Sequence, residues 1–549
     1  MGSLFTLFFG LIGLSSLAVP WIGAVGAYLV AILNPQSVWH WHFQDFRPAL
    51  FVTLPLLVGI GIAALRGQLD WRALGNLRAA CIGILLLCCT VSALFGPFGQ
   101  VSSESAIMTK WYILEITTKI VLLMAVATLC STAERPLRAF GWMIAACCAY
   151  MTYWANHAYL SVGWVYRLAG PTTLDGSGPY VDENNFAAFF VATLPFIWYM
   201  AFTLKHKLLR AAIWLIVPFA WHAIFLTGSR GGLLGMAVVL GVIVMRSGQR
   251  HYGVLLIAAF IGAFVWQAGD TMKERAASID DYRDDESATG RLDAWKAASK
   301  MMATHPLTGV GPGAFTRAFP SFSEAFPLQA HNTYFQIGAE YGPLAAIALL
   351  TAIAASLLTL YRRGNEIARL PPSPETALLK AINEATLTGL AGLLTCTMFL
   401  SLQVFEVLYF LIFLANATDV VIGRRLAAAA GAEAATPRAA AVAGARAPSW
   451  RGDRAAVRLA LGLRATPEPS ARPGHAARPD RPDRLVRRER SERGDRPVHG
   501  APSEPVSTPR TTRDPGPVDV DGLAAGTARL RSRRAVEGAT PSNGRRRRG

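Results

Sequence analysis

Charged residues are scarce in this chain, and its polar segments contain no cysteine. Of the 549 residues only 16% are charged and 52% are hydrophobic, whereas soluble proteins carry about 25% charged residues. This scarcity excludes an ordinary soluble domain. All seven cysteines lie within apolar runs, where they behave as small hydrophobic residues. Neither a disulfide framework, nor a zinc site, nor an outward-facing nucleophilic thiol is therefore indicated.

Apolar runs of about 15 to 20 residues recur from the N-terminus to about residue 422, which is typical of a polytopic helical membrane protein. We predict an all-α bundle of about 12 or 13 transmembrane helices. The first two runs meet at Val19-Pro20, and residues 383–421 are too long for one span, so we divide them near Ser401-Leu402-Gln403. The N-terminus lacks a basic region and a clear cleavage site, so we interpret it as a retained helix. The predicted spans are 4–18, 20–34, 48–65, 79–96, 111–130, 138–160, 185–203, 209–227, 231–246, 253–268, 342–361, 383–401 and 402–421.

Basic residues cluster in links that alternate along the chain. Alternating the spans collects these links on one side, which the positive-inside tendency identifies as the cytoplasm of a bacterial inner membrane. The basic links hold Arg66, Arg72 and Arg78, then Lys205, Lys207 and Arg210, then Arg246 and Arg250, then Arg362 and Arg363, and finally Arg424. The opposite, periplasmic side receives residues 35–47, 97–110, 164–184, 228–230 and one long polar loop.

Three regions follow from this pattern. Residues 1–422 form the predicted transmembrane domain, and within it residues 269–341 form a large periplasmic loop, where we expect the chemistry to lie. Residues 424–549 hold 27 Arg, no Lys and 13 acidic residues, which accounts for most of the net charge of +17. Their Arg-, Ala- and Pro-rich composition predicts a disordered cytoplasmic tail. The terminal arginines could contact anionic lipid or nucleic acid, but a solvated tail is favoured, and we predict no nucleic-acid partner.

The large loop has its own local pattern. Residues 287–304 read as a helix that His305-Pro306 ends, and a second helix is predicted from His331 through Gly342-Pro343 into the next span. Between them, residues 309–313 are rich in glycine. No strand precedes this stretch, and it lacks the lysine and hydroxyl of a nucleotide-binding loop. It therefore predicts a tight turn that lets the backbone approach a ligand or another helix.

Several arginines lie on the predicted outer face, against the positive-inside tendency, so a specific purpose is indicated. Arg230 stands between Thr227-Gly228-Ser229 and Gly231-Gly232. It is either an interfacial anchor or part of an anion site. The glycines favour the anion site, because they let a diphosphate approach backbone amides while the guanidinium grips its oxygens. Arg167, Arg291 and Arg317 share this face.

Two further polar features each have two interpretations. His331 has no partners at metal-ligand spacing; it suits proton removal from a hydroxyl at neutral pH, or else caps or packs against a helix. Glu115 and Lys119, four residues apart in an apolar span, predict a buried ion pair that fixes helix packing, with a head-group site as the alternative.

Four segments together resemble the O-antigen ligase/polymerase superfamily, in the same order along about residues 160–345. They are Tyr166-Arg167-Leu168-Ala169-Gly170-Pro171 with Asp182-Glu183-Asn184-Asn185, then Thr227-Gly228-Ser229-Arg230-Gly231-Gly232, then Gly309-Val310-Gly311-Pro312-Gly313, and then His331-Asn332-Thr333-Tyr334 with Ala339-Glu340-Tyr341-Gly342. Nearer the N-terminus, Leu33-Asn34-Pro35 and Phe43-x-Asp45-Phe46 resemble the O-glycosylation ligases that accompany the exosortase A protein-sorting system.

The resemblance implies a membrane glycosyltransferase of the ligase type, which needs no nucleotide sugar, metal or other cofactor. It would move a glycan as a block from undecaprenyl diphosphate to a hydroxyl of a protein or lipid acceptor at the periplasmic face. The family's diphosphate-binding arginines map onto Arg230 and Arg291, and its histidine maps onto His331 as the base. The predicted substrate-binding residues are Arg167, Asn185, Arg317, Asn332, Tyr334 and Glu340.

Other functions fit parts of the same sequence. A polymerase that joins repeat units shares the donor chemistry and differs only in its acceptor. A lipid-linked glycan flippase also uses basic residues, but along an internal path rather than in an outer loop. A lipid-sugar glycosyltransferase with metal-linked acidic residues in its first outer loop is disfavoured, because that loop offers only Asp45. Polymerase and flippase stay open as alternatives.

Overall fold

The computed structural model describes residues 2–43, 47–98, 109–162, 167–246, 250–267 and 286–445. Within these ranges the regular secondary structure is helical and contains no strand, so the predicted all-α fold is confirmed. Asp45, Phe46, Tyr166, residues 269–285 of the large loop and residues 446–549 of the tail lie outside the described residues.

The helices follow the apolar runs closely. The α-helices are α1 (Gly2–Ala18), α2 (Pro20–Leu33), α3 (Pro35–Val38), α4 (Pro48–Leu65), α5 (Leu77–Phe95), α6 (Lys110–Cys130), α7 (Glu134–Val162), α8 (Glu183–Ala201), α9 (Lys207–Trp214), α10 (Ile216–Thr227), α11 (Arg230–Arg246), α12 (Arg250–Gln267), α13 (Glu286–Thr304), α14 (Phe315–Ala318), α15 (Thr333–Tyr341), α16 (Pro343–Ile367), α17 (Pro374–Thr397) and α18 (Glu406–Ala445). Short 3₁₀ helices occur at His40–His42, Trp71–Leu74 and Phe319–Ser321.

Several of these helices can cross a membrane. In the described part of the chain, six helical segments have both the length and the hydropathy to do so: Pro48–Leu65, Leu77–Phe95, Lys110–Cys130, Lys207–Thr227, Pro343–Ile367 and Glu406–Ala430. The segment Lys207–Thr227 comprises α9 and α10. Three shorter apolar helices are Leu4–Ala18, Pro20–Leu33 and Gly253–Gln267. The other predicted spans are helices that are shorter or less apolar. The chain is a polytopic membrane helix bundle, as predicted.

Breaks between helices agree with the sequence in one place and differ in another. The division predicted near Ser401 is confirmed, because α17 ends at Thr397 and α18 begins at Glu406. We call residues 398–405 the interhelical turn. The continuous helix predicted across Gly342-Pro343 is wrong: Gly342 has φ 92° and separates α15 from α16, because glycine readily takes a backbone conformation that ends a helix. Residues 424–445, predicted as disordered, belong to α18.

The centre of the bundle is formed by α8, α17 and the first half of α18. Every residue of α8 from Phe186 to Ile197 is buried, and α17 packs against α8, α11 and α16. At Gly389 of α17, an added Cβ would lie 2.3 Å from the Ala192 carbonyl oxygen of α8. Glycine at this position therefore sets the close spacing of the two central helices.

Ion pairs join the helices at the end of the bundle opposite α15. Arg78 of α5 and Arg363 of α16 both donate to the Asp419 carboxylate of α18, at 2.5 and 2.7 Å. Arg246 of α11 pairs with Glu384 of α17 at 2.6 Å. Arg78, Arg246 and Arg363 come from links that the alternation of spans placed on one side, and the structure brings them to one end.

The predicted burial of the Glu115–Lys119 pair is wrong. The two side chains are bonded to each other on α6, but they are 58% and 69% exposed. The i, i+4 spacing placed them on one face of the helix, but it could not show that the described part of the structure leaves this face exposed. The pair does not fix the packing of α6 against another part of the bundle.

Candidate active site

A cavity of about 240 Å³ lies at the end of the bundle that carries α15. Four connecting segments, the first turns of α8 and α11, and α13 contribute to its wall. Its lining residues are Arg167, Asp182, Asn184, Gly228, Arg230, Gly231, Arg291, His331, Phe399 and Leu400. The structure thus brings together the three predicted catalytic residues, Arg230, Arg291 and His331. Arg167, which the sequence assigned to substrate binding, lines the same cavity.

Arg230 is the first residue of α11, and the chain around it is shaped to end one helix and start the next. Gly228 closes α10 with a left-handed backbone, φ 62°, which glycine adopts without steric cost. The buried Ser229 hydroxyl accepts a hydrogen bond from the Gly232 N–H at 3.1 Å and caps α11. A helix N-terminus carries partial positive charge. Arg230 and the first turn of α11 therefore form an anion-binding end at the cavity wall.

Arg167 is held from three directions. Its Nε donates to the Thr227 carbonyl oxygen at 3.1 Å, and its Nη2 donates to Asn184 Oδ1 at 3.2 Å. The Glu183 carboxylate lies 3.6 Å from its Nη1. At Gly228, an added Cβ would lie 3.3 Å from the Arg167 Cγ, so the glycine leaves room for the side chain. The guanidinium is consequently fixed beside the start of α11.

His331 has an uncommon backbone conformation. Its φ is 46°, and in the described residues only Asn34 is another non-glycine residue with positive φ. A left-handed conformation costs an L-residue roughly 1–2 kcal/mol, and such strain concentrates at functional sites. Asn332 follows directly and caps α15, since its Oδ1 accepts from the Tyr334 and Phe335 N–H groups at 3.0 and 3.2 Å. His331 is thus the last residue before a capped helix, at the cavity wall.

The surroundings of His331 favour its neutral form. Burial lowers the pKa of the imidazole below its usual value of 6.5, and the positive charge of Arg291 lowers it further. The Asp182 carboxylate acts in the opposite direction. A neutral imidazole at pH 7 can accept a proton from a hydroxyl group.

Trp295 joins α13 to the segment that carries His331. Its indole Nε1 donates to the Ala330 carbonyl oxygen at 2.9 Å. Its ring stacks on Phe335, with centroids 5.5 Å apart and planes 11° apart. Arg291 precedes Trp295 by four residues on the same helix, so both side chains lie on one helix face. The contacts of Trp295 with Ala330 and Phe335 hold α13 against this segment, and Arg291 of α13 lies at the cavity that His331 lines.

Hydrogen bonds attach the start of α15 to the interhelical turn and to Thr397 just before it. The Asn332 amide donates to the Met398 carbonyl oxygen at 3.1 Å, and the Thr333 hydroxyl donates to the Leu400 carbonyl oxygen at 2.7 Å. The Tyr334 hydroxyl bonds the Thr397 hydroxyl at 2.9 Å. Asn332 and Tyr334, which the sequence assigned to substrate binding, do not line the cavity. They hold the turn that contributes Leu400 to its wall.

Glu340 lies at the other end of α15, also outside the cavity wall. Its carboxylate accepts hydrogen bonds from Gly313 N–H at 3.0 Å, from Phe315 N–H at 3.4 Å and from the Gln336 amide at 2.6 Å. Burial raises the pKa of Glu340 to about 7, although these donors act against the rise. At Gly309, an added Cβ would lie 2.3 Å from the Glu340 carbonyl oxygen. The glycine-rich turn therefore approaches a helix, one of the two options that the sequence left open.

Arg317 and Asn185 also lie outside the wall. Arg317 donates to the Phe98 carbonyl oxygen at 2.6 Å, which ties α14 to the segment after α5. The Asn185 backbone N–H donates to Asp182 Oδ1 at 3.1 Å, within the cap of α8. A substrate-binding role for Asn185, Arg317, Asn332, Tyr334 and Glu340 stays a prediction.

Four wall residues were given no role from the sequence: Asp182 and Asn184, which stand in the family motif, and Phe399 and Leu400. A signal existed for Asp182, because an aspartate just before an apolar helix is an N-cap pattern and would place a carboxylate at the same helix end as Arg167. Phe399 and Leu400 gave no signal, since an apolar residue at the end of a span looks like the span itself.

Residues 215–350 match the family described as O-antigen ligase. This part of the chain therefore resembles an O-antigen ligase domain. The match confirms the superfamily resemblance, and its range contains Arg230, Arg291 and His331 while Arg167 and Asp182 precede it. No curated protein matches the chain. The narrower likeness to exosortase-associated ligases stays a prediction.

The match supports a membrane protein with a ligase-like, glycosyl-transferring function. The cavity suits a substrate that carries phosphate, because three guanidinium groups and a helix N-terminus can bind phosphate oxygens beside a neutral imidazole. Among the described residues there is no group of three or more His, Cys, Asp or Glu side chains that could hold a metal ion.

Proposed function

We propose that the O-antigen ligase domain transfers a glycan as a block from undecaprenyl diphosphate to a hydroxyl group of a protein or lipid acceptor. The reaction takes place at the periplasmic face of the bacterial inner membrane and needs no metal ion. The observation that carries this proposal is the shared cavity, which places Arg167, Arg230 and Arg291 beside His331.

The arginines suit the donor end of the reaction. When the bond between the sugar and the diphosphate breaks, its electron pair stays on the diphosphate oxygen and negative charge develops there. Fixed guanidinium groups stabilise that charge without rearranging. Arg167 is already held by Thr227 and Asn184, and Arg230 lies at the start of α11. The donor diphosphate therefore binds between these two residues and Arg291.

His331 suits the acceptor end. Its neutral imidazole takes the proton of the acceptor hydroxyl as the oxygen attacks the anomeric carbon of the sugar. The proton ends on His331, and the leaving group departs as undecaprenyl diphosphate. The apolar Phe399 and Leu400 in the same wall exclude water from the reacting bond, which strengthens the electrostatic interactions there.

The test offers the purified full chain an undecaprenyl-diphosphate glycan together with protein and lipid acceptors, in the presence of a metal chelator. We expect transfer to one acceptor class, and we expect Arg230→Ala to lower the rate by about 10² to 10³, as for the loss of one charge-stabilising donor. Arg66→Ala is the matched control, because Arg66 is an exposed arginine that ends α4 outside the cavity.

Other outcomes point to other functions. Lengthening of the donor glycan without transfer to an acceptor would indicate a polymerase. Movement of the donor across vesicle membranes, with no glycan transferred to any acceptor, would replace the proposal with a flippase. Loss of transfer on addition of the chelator would overturn its metal-free part.

A further inference from the structure

A histidine base in this cavity must hold positive charge among arginines. Once His331 has taken a proton, four cationic side chains line one cavity of about 240 Å³. Like charges repel more strongly in a partly buried site than in water, and the donor diphosphate is engaged with the arginines. The positive charge that His331 gains on taking a proton therefore needs a nearby negative charge other than the diphosphate.

Among the described residues that line the wall, Asp182 is the one with a carboxylate. Its Oδ1 accepts hydrogen bonds from the Asn184 and Asn185 N–H groups at 2.8 and 3.1 Å, so the carboxylate is fixed as the N-cap of α8. The neighbouring Glu183 is not a wall residue, and its carboxylate faces Arg167 at 3.6 Å. Asp182 is thus the acidic side chain that is both fixed and directed to the space that His331 lines.

We propose that Asp182 is a positioning residue for His331, whose carboxylate balances the charge that the imidazole gains from the acceptor proton. This inference rests on the proposed function. The proton passes from the acceptor hydroxyl to His331, the new bond joins the acceptor oxygen to the sugar, and the old sugar–diphosphate bond breaks. Asp182 takes no proton from the substrate and forms no bond to it.

The charged groups around His331 come from several elements. Arg291 faces it from α13, Arg230 from the start of α11, and Arg167 and Asp182 from the segment before α8. The interhelical turn adds only the apolar Phe399 and Leu400. Arg291 lowers the proton affinity of His331, whereas Asp182 raises it. Loss of the Asp182 charge should therefore lower the proton affinity of His331.

The test is the pH–rate profile of Asp182→Asn. Asparagine caps helices as well as aspartate does, so the variant keeps the start of α8 and removes only the charge. The acid limb that reports His331 should move to lower pH by about one unit, as for loss of a nearby opposite charge. The turnover rate should fall by about tenfold, because a weaker base removes a proton less efficiently. The KM for the donor should not rise, since the lost charge is negative.

Two variants and one control make the outcome decisive. Asp182→Glu restores the charge and should return the acid limb towards the wild-type position, and Asp182→Ser supplies a second neutral cap should the asparagine variant not fold. Asp175→Asn removes an exposed carboxylate from the same loop and should leave the profile unchanged.

An acid limb and a turnover rate unchanged in both neutral variants would overturn the inference while leaving the proposed function intact. Failure of the proposed function looks different. In that case the wild-type chain transfers no glycan, or its acid limb persists in His331→Asn, whatever is found at position 182.

Discussion

At the scale of single residues, His331 combines the two properties that distinguish the cavity, a strained backbone and a proton-accepting ring. Residues other than glycine rarely have positive φ, and His331, to which the family motif assigns the base, has φ 46°. Sequences that fold well follow local rules almost everywhere, and their violations concentrate at functional sites. The strain and the chemistry can be separated by choosing different replacements at one position.

Removal of the imidazole should lower transfer by about 10² to 10⁴, the usual contribution of a general base. His331→Asn, His331→Ala and His331→Gly should share this loss. Their stabilities should differ, because glycine takes φ 46° without a steric penalty and asparagine tolerates it better than alanine. The glycine variant should be about 1 kcal/mol more stable than the alanine variant. Transfer assays and unfolding in detergent measure the two effects, and equal stability of all three would show that the position is unstrained.

At the scale of elements, α15 connects the site to its supports at both ends. Its first residues hold the interhelical turn, and its last turn holds the glycine-rich turn through Glu340. These contacts explain why the motif residues Asn332, Tyr334 and Glu340 sit away from the cavity wall. They keep α15 in place, and α15 in turn places His331.

Glu340 should make the stability of the contact between α15 and the glycine-rich turn depend on pH. Its folded-state pKa of about 7 lies above its ordinary value, so the folded chain binds the proton more tightly than the unfolded chain. The contribution to stability is fully present below about pH 4.5 and is lost as the pH rises through about 7. The total change is on the order of 3 kcal/mol. The unfolding temperature of the wild-type chain should therefore fall between about pH 5 and 8 by more than that of Glu340→Gln.

The glutamine variant also has a cost of its own. Gly313 N–H and the Gln336 amide both donate to the carboxylate, and an amide can accept only at its oxygen. One buried donor loses its partner, which costs about 1–3 kcal/mol at every pH. The pH-dependent difference between the two proteins is the quantity to measure, and identical slopes would show that Glu340 does not titrate in this range.

The sequence predicted the elements better than it predicted the contacts between them. Apolar runs of membrane-spanning length placed the helices and even the break between α17 and α18, because burial in lipid demands long apolar segments. The outer-face arginines were singled out because charge on that face is exceptional, whereas the roles predicted for Arg230, Arg291 and His331 came from the family resemblance. Periodicity did not reveal that Glu115 and Lys119 are exposed, since spacing defines a face but not its neighbour. Asp182 stood in the family motif without an assigned role, because the sequence could not show that the start of α8 lies at the same cavity as His331.

At the scale of the whole molecule, the ion pairs of Asp419 and the candidate site lie at opposite ends of the bundle. The cavity lies at the end that carries α15, whereas Asp419 accepts from Arg78 and Arg363 at the other end. The Arg78 side chain is only 5% exposed. A change among these ion pairs should therefore alter how readily the bundle unfolds without altering the geometry of the site.

Asp419→Asn tests this separation. It removes the negative charge between two arginines, one of them buried, and loss of one partner of such a pair costs about 3 kcal/mol. The unfolding temperature in detergent should fall by several degrees, while the turnover rate and the acid limb measured well below that temperature stay at wild-type values. Glu366→Gln is the control, because Glu366 is 40% exposed in its pair with Arg363 and exposed pairs contribute about 1 kcal/mol or less. A turnover rate that falls in the intact Asp419→Asn protein would show instead that the two ends are coupled, and α18, which runs from the interhelical turn past Asp419, would be the element that couples them.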